Sequence, residues 1–281
     1  MNLEPLPLQK LLRRYGLQPH KGLGQNFLVD ESALAKIAAA AQITNTDAVL
    51  EVGAGLGSLT RHLAQSARRV VAVEIDRQLI EALKTVVGGL PNVDIVQGDM
   101  LELDPAELMQ ASGYLVAANI PYYITSALIR HLLESALKPA RIVLTIQEEV
   151  AQRICAQPGD MSLLALSVQV YGQPQVVEHI PSGAFFPRPE VDSAVLRVDL
   201  YPEPRIPEEH LDDFFRLIKA GFSQKRKMLR NTLAGSLGWK PAEVDAFLTG
   251  AGIDPHRRAQ TLSLLEWSQV TAAYAHRKLS G

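Results

Sequence analysis

The chain has 281 residues, 47% hydrophobic and 21% charged, enough for one large domain or a large one with a small companion, and no apolar run approaches membrane-spanning length. One cysteine, Cys155, excludes an internal disulfide and a cysteine-based metal cluster, and none of the seven histidines has metal-ligand spacing, so no metal is expected. Against a net charge of −2, residues 216–240 carry seven cations and no carboxylate and residues 1–29 carry four cations against Glu4, which leaves −12 on the remainder.

Met1-Asn2-Leu3-Glu4-Pro5 lacks the basic and apolar regions of a signal peptide, and a cytoplasmic location is expected. Leu8 to Tyr15 reads as a short basic helix, followed by the glycine-loosened stretch Lys21-Gly22-Leu23-Gly24-Gln25-Asn26-Phe27-Leu28. Asp30 is the expected N-cap of a helix with Leu34, Ile37, Ala38 and Ala41 on one face. Ala48–Val52 is a strand, and Gly53-Ala54-Gly55-Leu56-Gly57 turns it into a helix over 58–66. Glycines in such a turn let the backbone come close to a ligand. Ser58 stands where the dinucleotide fingerprint would place its third glycine, which counts against a nicotinamide dehydrogenase. The next strand, over 70–74, ends at Glu74, 21 residues beyond Gly53, where a carboxylate can accept both hydroxyls of a ribose. A surface glutamate at a strand end would look the same. A helix over 79–87 and a strand over 93–96 lead to Asp99, which either accepts from an adenine amino group or caps the following turn.

The most informative stretch is Asn119-Ile120-Pro121-Tyr122-Tyr123-Ile124, which follows the apolar strand Tyr114-Leu115-Val116-Ala117-Ala118. Pro121 ends the strand and biases Ile120 to an extended backbone. The Asn119 side-chain oxygen and the Ile120 carbonyl then stand together at the C-terminal edge of the sheet, and two adjacent acceptors suit an exocyclic amino group. The Tyr122 ring can lie over a flat base. An ordinary strand-ending turn also favours Asn and Pro, so four residues alone do not decide. Asn119-Ile120-Pro121-Tyr122 resembles the Asn-Pro-Pro-Tyr-type signature of methyltransferases acting on an amino nitrogen.

A helix over 126–137, a strand over 141–146, helices over 148–155 and 161–171, and strands over 176–180 and 194–198 that can pair complete the first part of the chain. Between the last two strands lies Gly183-Ala184-Phe185-Phe186-Pro187-Arg188-Pro189, where Phe185 is either a second wall for a base or a core residue under a rigid loop. Residues 201–207 are proline-rich and read as a linker. Helices are expected beyond it over 211–220, 225–237, 242–249 and 263–276, the second holding Lys225, Arg226, Lys227 and Arg230 as candidate RNA contacts. A basic run is also the composition of a solvated helix face. The expected division is residues 1–200, a catalytic domain, and 208–281, a helical RNA-positioning domain.

Taken together, these motifs resemble the ribosomal RNA adenine N6,N6-dimethyltransferases, in particular those of the bacterial small subunit. The likeness runs through Gly24-Gln25-Asn26-Phe27-Leu28, Glu51-Val52-Gly53-Ala54-Gly55, Glu74-Ile75-Asp76, Gly98-Asp99 and Asn119-Ile120-Pro121-Tyr122. It continues through residues 185–195, 225–233 and 258–263, and so covers nearly the whole chain. The resemblance implies an α/β fold: a Rossmann-like class I S-adenosylmethionine-dependent methyltransferase domain with a small all-α C-terminal domain. It implies S-adenosyl-L-methionine as cofactor, held by Asn26, Leu28, Gly53, Gly55, Glu74, Asp99 and Asn119. Asn119, Ile120, Pro121, Tyr122 and Phe185 would form the catalytic pocket, with Tyr122 and Phe185 sandwiching the adenine. The implied partner is 16S rRNA within an immature small ribosomal subunit, met by a monomer without membrane or metal. Tyr123 departs from bacterial relatives, which often have Asn there, and is expected to alter pocket shape and not the reaction. Two alternatives remain: a large-subunit (23S) adenine N6-methylase of the macrolide-resistance type, which shares the catalytic motifs, and a noncatalytic RNA-binding assembly factor.

Overall fold

The apolar runs become strands of a single large sheet. In the computed structural model, which describes residues 3–280, the strands are β1 (Phe27–Leu28), β2 (Ala48–Val52), β3 (Arg69–Glu74), β4 (Val93–Gln97), β5 (Leu115–Asn119), β6 (Arg141–Gln147), β7 (Gly172–Ile180), β8 (Phe185–Phe186) and β9 (Ser193–Leu200). Seven form one sheet in the order β4-β3-β2-β5-β6-β9-β7, and β1 pairs with β8 separately. The strands from β4 to β6 are parallel, and β9 is antiparallel to β6. Strands at the centre are covered on both faces, which is why β2, β3 and β5 read as apolar apart from Glu51, the strand-opening Arg69 and the two strand-ending residues Glu74 and Asn119.

The chain runs outward from β2 to β3 to β4 and returns on the other side of β2 as β5. That reversal leaves a crevice at the C-terminal ends of β2 and β5, the place where open α/β sheets take ligands. Register sets Val52 beside Ala118, so the Gly53 turn and Asn119 emerge side by side. Helix Glu31–Ala41 begins at Asp30, whose Oδ1 accepts the Ala33 N–H at 2.9 Å. Its Leu34, Ile37 and Ala41 pack with Val49, Leu63 and Val143. Helix Leu8–Arg14 sets Leu8 and Leu12 against Phe27, Leu56 and Leu79.

Contacts divide the chain into two units, Met1–Ala151 with Pro174–Leu200, and Gln152–Gln173 with Tyr201–Gly281. The segment Gln152–Gln173 thus groups with the C-terminal helices, whereas the sequence reading set a single division near residue 200. Gln260 ties it there: its carbonyl accepts the Gly159 and Met161 N–H groups at 3.0 and 3.1 Å, and its amide donates to the Gly159 carbonyl at 2.9 Å. Residues 201–207 are not a free linker. The Tyr201 and Arg205 N–H groups bond to the Tyr171 and Val170 carbonyls at 2.9 and 2.8 Å, and Ile206 is 1% exposed.

The helix expected from Lys225 starts at Leu229. Carbonyls distant in sequence take its first donors: Leu229 N–H bonds Arg257 O at 2.7 Å and Arg230 N–H bonds Pro255 O at 3.2 Å. Lys225, Arg226 and Lys227 therefore lie on an exposed turn, closed by the Lys227 N–H on the Gln224 carbonyl at 3.0 Å. No helix is long and apolar enough to cross a membrane among the described residues.

Candidate active site

Gly53 and Gly55 have φ of +74° and +59°, a left-handed backbone that glycine adopts without strain. At Gly55 a Cβ would also come within 3.3 Å of the Phe27 ring, so the turn lies close under the loop that bears Asn26. Glu74, at the end of β3, is 4% exposed. Its two carboxylate oxygens accept the Gly55 N–H at 2.7 Å and the Asp76 N–H at 2.8 Å. Burial raises its pKa, and those two backbone donors oppose the rise. The carboxylate is thereby fixed in direction, with lone pairs left for a diol. Asp76 in turn accepts from the Gln25 amide at 2.8 Å, which latches the Gly24–Leu28 loop to the same strand end.

Asn119 closes the other side of the crevice. Its Nδ2 donates to the Asn26 carbonyl at 3.1 Å, and this bond assigns the amide so that Oδ1 is left as a free acceptor at the strand edge. Tyr122 is held at both ends, its carbonyl by the Thr125 hydroxyl at 2.9 Å and its phenol by the Ser193 hydroxyl at 2.8 Å. Burial pushes its phenol pKa up. Phe185 packs in the core with Leu28 and Leu34, and it also lines the same cleft as Asn119, Tyr122 and Glu74. Asp99 also lines it, with one carboxylate oxygen accepting the Leu101 N–H at 2.9 Å, so capping is observed and a second oxygen remains.

Beneath the glycine turn sits Glu51, 1% exposed, with Oε2 lacking a hydrogen-bond partner. Burial drives its pKa from 4.5 to about 8, with the Thr60 side chain partly opposing and Glu74 adding to the rise. The folded chain holds this proton where the unfolded chain releases it. The stability it contributes is therefore full below 4.5 and lost as pH rises toward about 8. Glu51→Gln keeps the shape and stays neutral, so it is expected to flatten that decline. Thermal denaturation of both proteins from about pH 5 to about pH 9 checks this, and parallel curves would contradict it.

A model of the ribosomal RNA adenine dimethylases matches residues 16–276. The chain belongs to the ribosomal RNA adenine dimethylase family. The ribosomal RNA small subunit methyltransferase A of Dehalococcoides mccartyi (strain CBDB1) is 47% identical over 269 residues, 95% of this chain and 92% of that protein. The 23S rRNA methyltransferase ErmE superposes with a TM-score of 0.72 at 28% identity, covering 88% of this chain and 99% of that one. A dimethyladenosine transferase from Plasmodium falciparum gives a TM-score of 0.74 at 24% identity, covering 89% and 97% of the two chains.

In this dimethylase-family chain the fold brings Asn26, Gly53, Gly55, Glu74, Asp99, Asn119, Ile120, Pro121, Tyr122 and Phe185 to one cleft. Leu28 is outside the lining, 2% exposed, packed in the core and paired with Phe185 in the β1–β8 ladder. Sequence reasoning did not assign Gln25 or Phe27 to the cleft. The signal for Gln25 was its place inside the Gly-Gln-Asn-Phe-Leu stretch, but its partner Asp76 lies 51 positions away. The observed pattern fits S-adenosylmethionine in kind: a turn that faces the cleft with two glycines, a buried directed carboxylate and a free amide oxygen. Of the four basic candidates, Arg230 is half-buried and paired with Asp245 at 2.7 Å, while Lys225, Arg226 and Lys227 are exposed.

Proposed function

We propose that this chain dimethylates N6 of two neighbouring adenosines in the hairpin loop near the 3′ end of small-subunit (16S) rRNA, using S-adenosylmethionine. In this reading it acts as a cytoplasmic monomer on an immature small subunit, with residues 1–200 catalytic and 208–281 positioning the RNA. The observation that carries it is the Asn119 amide, oriented by Asn26 so that its oxygen points an acceptor into a cleft walled by Tyr122 and Phe185. S-adenosylmethionine supplies an electrophilic methyl group when bound.

The chain's residues deal with the nucleophile. An adenine amino lone pair is delocalised into the ring and attacks poorly. Accepting its hydrogens at Asn119 Oδ1 and the Ile120 carbonyl makes the nitrogen more tetrahedral and fixes its direction. Positive charge arising on that nitrogen is favoured by the same acceptors and by the Tyr122 ring face. No general base is needed, since the alkylated nitrogen loses its proton to solvent. The adenine must leave its stack to enter, which is easiest in a loop.

The near-equal superpositions on a 23S methyltransferase and a dimethyladenosine transferase leave the subunit open on fold alone. Identity favours the small subunit, at 47% to a small-subunit enzyme against 28% to ErmE. A noncatalytic assembly factor is disfavoured by the complete cleft. Nucleoside mass spectrometry of 16S rRNA recovered from immature small subunits treated with enzyme and S-adenosylmethionine should find N6,N6-dimethyladenosine, and its absence would overturn the reading.

Phosphate contacts position an RNA and make binding salt-dependent. Lys225, Arg226 and Lys227 are exposed and have no acidic partner among the described residues, whereas Arg230 is already paired. Replacing the three with Gln should lower the log–log salt slope of RNA binding by about 2, at roughly 0.7 per single-strand phosphate contact. A filter-binding titration over salt checks this. An unchanged slope would make the turn merely solvated.

A further inference from the structure

Tyr123 is 66% exposed, a large aromatic ring left in water at the rim of the cleft. It stands next to Tyr122 in the 3-10 turn Tyr122–Ile124, where successive side chains diverge by about a third of a turn. Tyr122 is anchored through Ser193, and Tyr123 points away from it. The Tyr123 ring edge rests beside Gly24: a Cβ there would lie 3.3 Å from its Cε1 and 3.2 Å from the Pro121 Cβ. Gly24 has φ +61°, so both backbone and space favour glycine. The ring is thus supported along one edge by the loop that carries Asn26 and remains open on its outer side. Its exposure means that it does little for stability and leaves a flat face beside the cleft that a base can cover.

We propose that Tyr123 is a stacking platform for the nucleobase next to the flipped adenine. This rests on the reading that RNA adenine is the substrate. When the target leaves its stack, its neighbour loses a covered face. An exposed ring one residue from the base-sandwiching Tyr122 can replace that face without reading base identity. Tyr123 would then hold the second adenosine at the rim while the first is methylated.

Tyr123→Ala is expected to raise KM for immature small subunits by roughly 5- to 150-fold, the range for one lost base stack. Affinity for S-adenosylmethionine should not change, and Tyr123→Phe should keep wild-type KM. In small subunits reconstituted with 2-aminopurine beside the target, fluorescence should stay quenched on binding wild type or Tyr123→Phe and rise with Tyr123→Ala. Unchanged KM and fluorescence in Tyr123→Ala would overturn the proposal, as would a loss confined to cofactor affinity. A wild-type protein that transfers no methyl to small subunits would instead overturn the functional reading on which the proposal rests.

Discussion

Asn119→Ala is expected to lower kcat for methyl transfer by about 10²- to 10³-fold, the loss typical when one preorganised polar group at a reacting centre is removed. The amide does two things at once. Its nitrogen ties β5 to the Asn26 carbonyl, and in the proposed reading its oxygen is thereby presented to the amino group being methylated. Alanine removes the acceptor and frees the Asn26 loop, so a smaller loss in cofactor affinity should accompany the fall in kcat. The variant should still fold, because Asn119 sits at the strand end and the core of β5 is built from Leu115 to Ala118. RNA binding should persist, since the proposed phosphate contacts lie elsewhere. Single-turnover transfer with a denaturation control measures this. Parent-level turnover would mean that the amino group is activated by other atoms.

Glu74→Ala should weaken S-adenosylmethionine binding by roughly 1.5–3 kcal/mol, the range for hydrogen bonds to a charged group, or about 10- to 150-fold. A buried carboxylate already directed by Gly55 and Asp76 needs no reorganisation to accept a diol. Its removal also leaves those two N–H groups without their acceptor, a cost that falls on folding stability and is read separately by denaturation. Because burial raises the Glu74 pKa, wild-type affinity should fall on the acid side as the carboxylate takes a proton, and this limb should vanish in the variant. Isothermal calorimetry gives both results, and an unchanged dissociation constant would remove Glu74 from the site.

Much of the catalytic architecture is legible in the sequence because local chemistry and fold agree there. The run Ala48–Val52 is apolar except for Glu51 and is followed by glycines, and the run up to Asn119 is followed by Ile-Pro, so both strands and their edges follow from the chain itself. What was not legible depends on partners far along the chain. The bond that orients Asn119 spans 93 positions. The late start of the helix at Leu229 follows from carbonyls at Pro255 and Arg257, and Arg230 loses its apparent freedom to Asp245. Residues 201–207 look like a linker by their prolines, yet Ile206 is buried, because nothing local tells that an apolar side chain will find a cavity. Residues 258–263 carry part of the family likeness, and their partners too lie far along the chain or in the next helix. Here Gln260 fastens Gly159, and Ser263 caps the last helix by accepting the Glu266 N–H at 3.2 Å.

The central claim is that this cleft methylates adenine in small-subunit rRNA. Transfer of labelled methyl from S-adenosylmethionine, with immature small subunits and large-subunit rRNA offered in parallel, tests it most directly. Strong incorporation into the small subunit is expected, recovered as dimethyladenosine, with large-subunit rRNA near background. Label in large-subunit rRNA and none in the small subunit would contradict it.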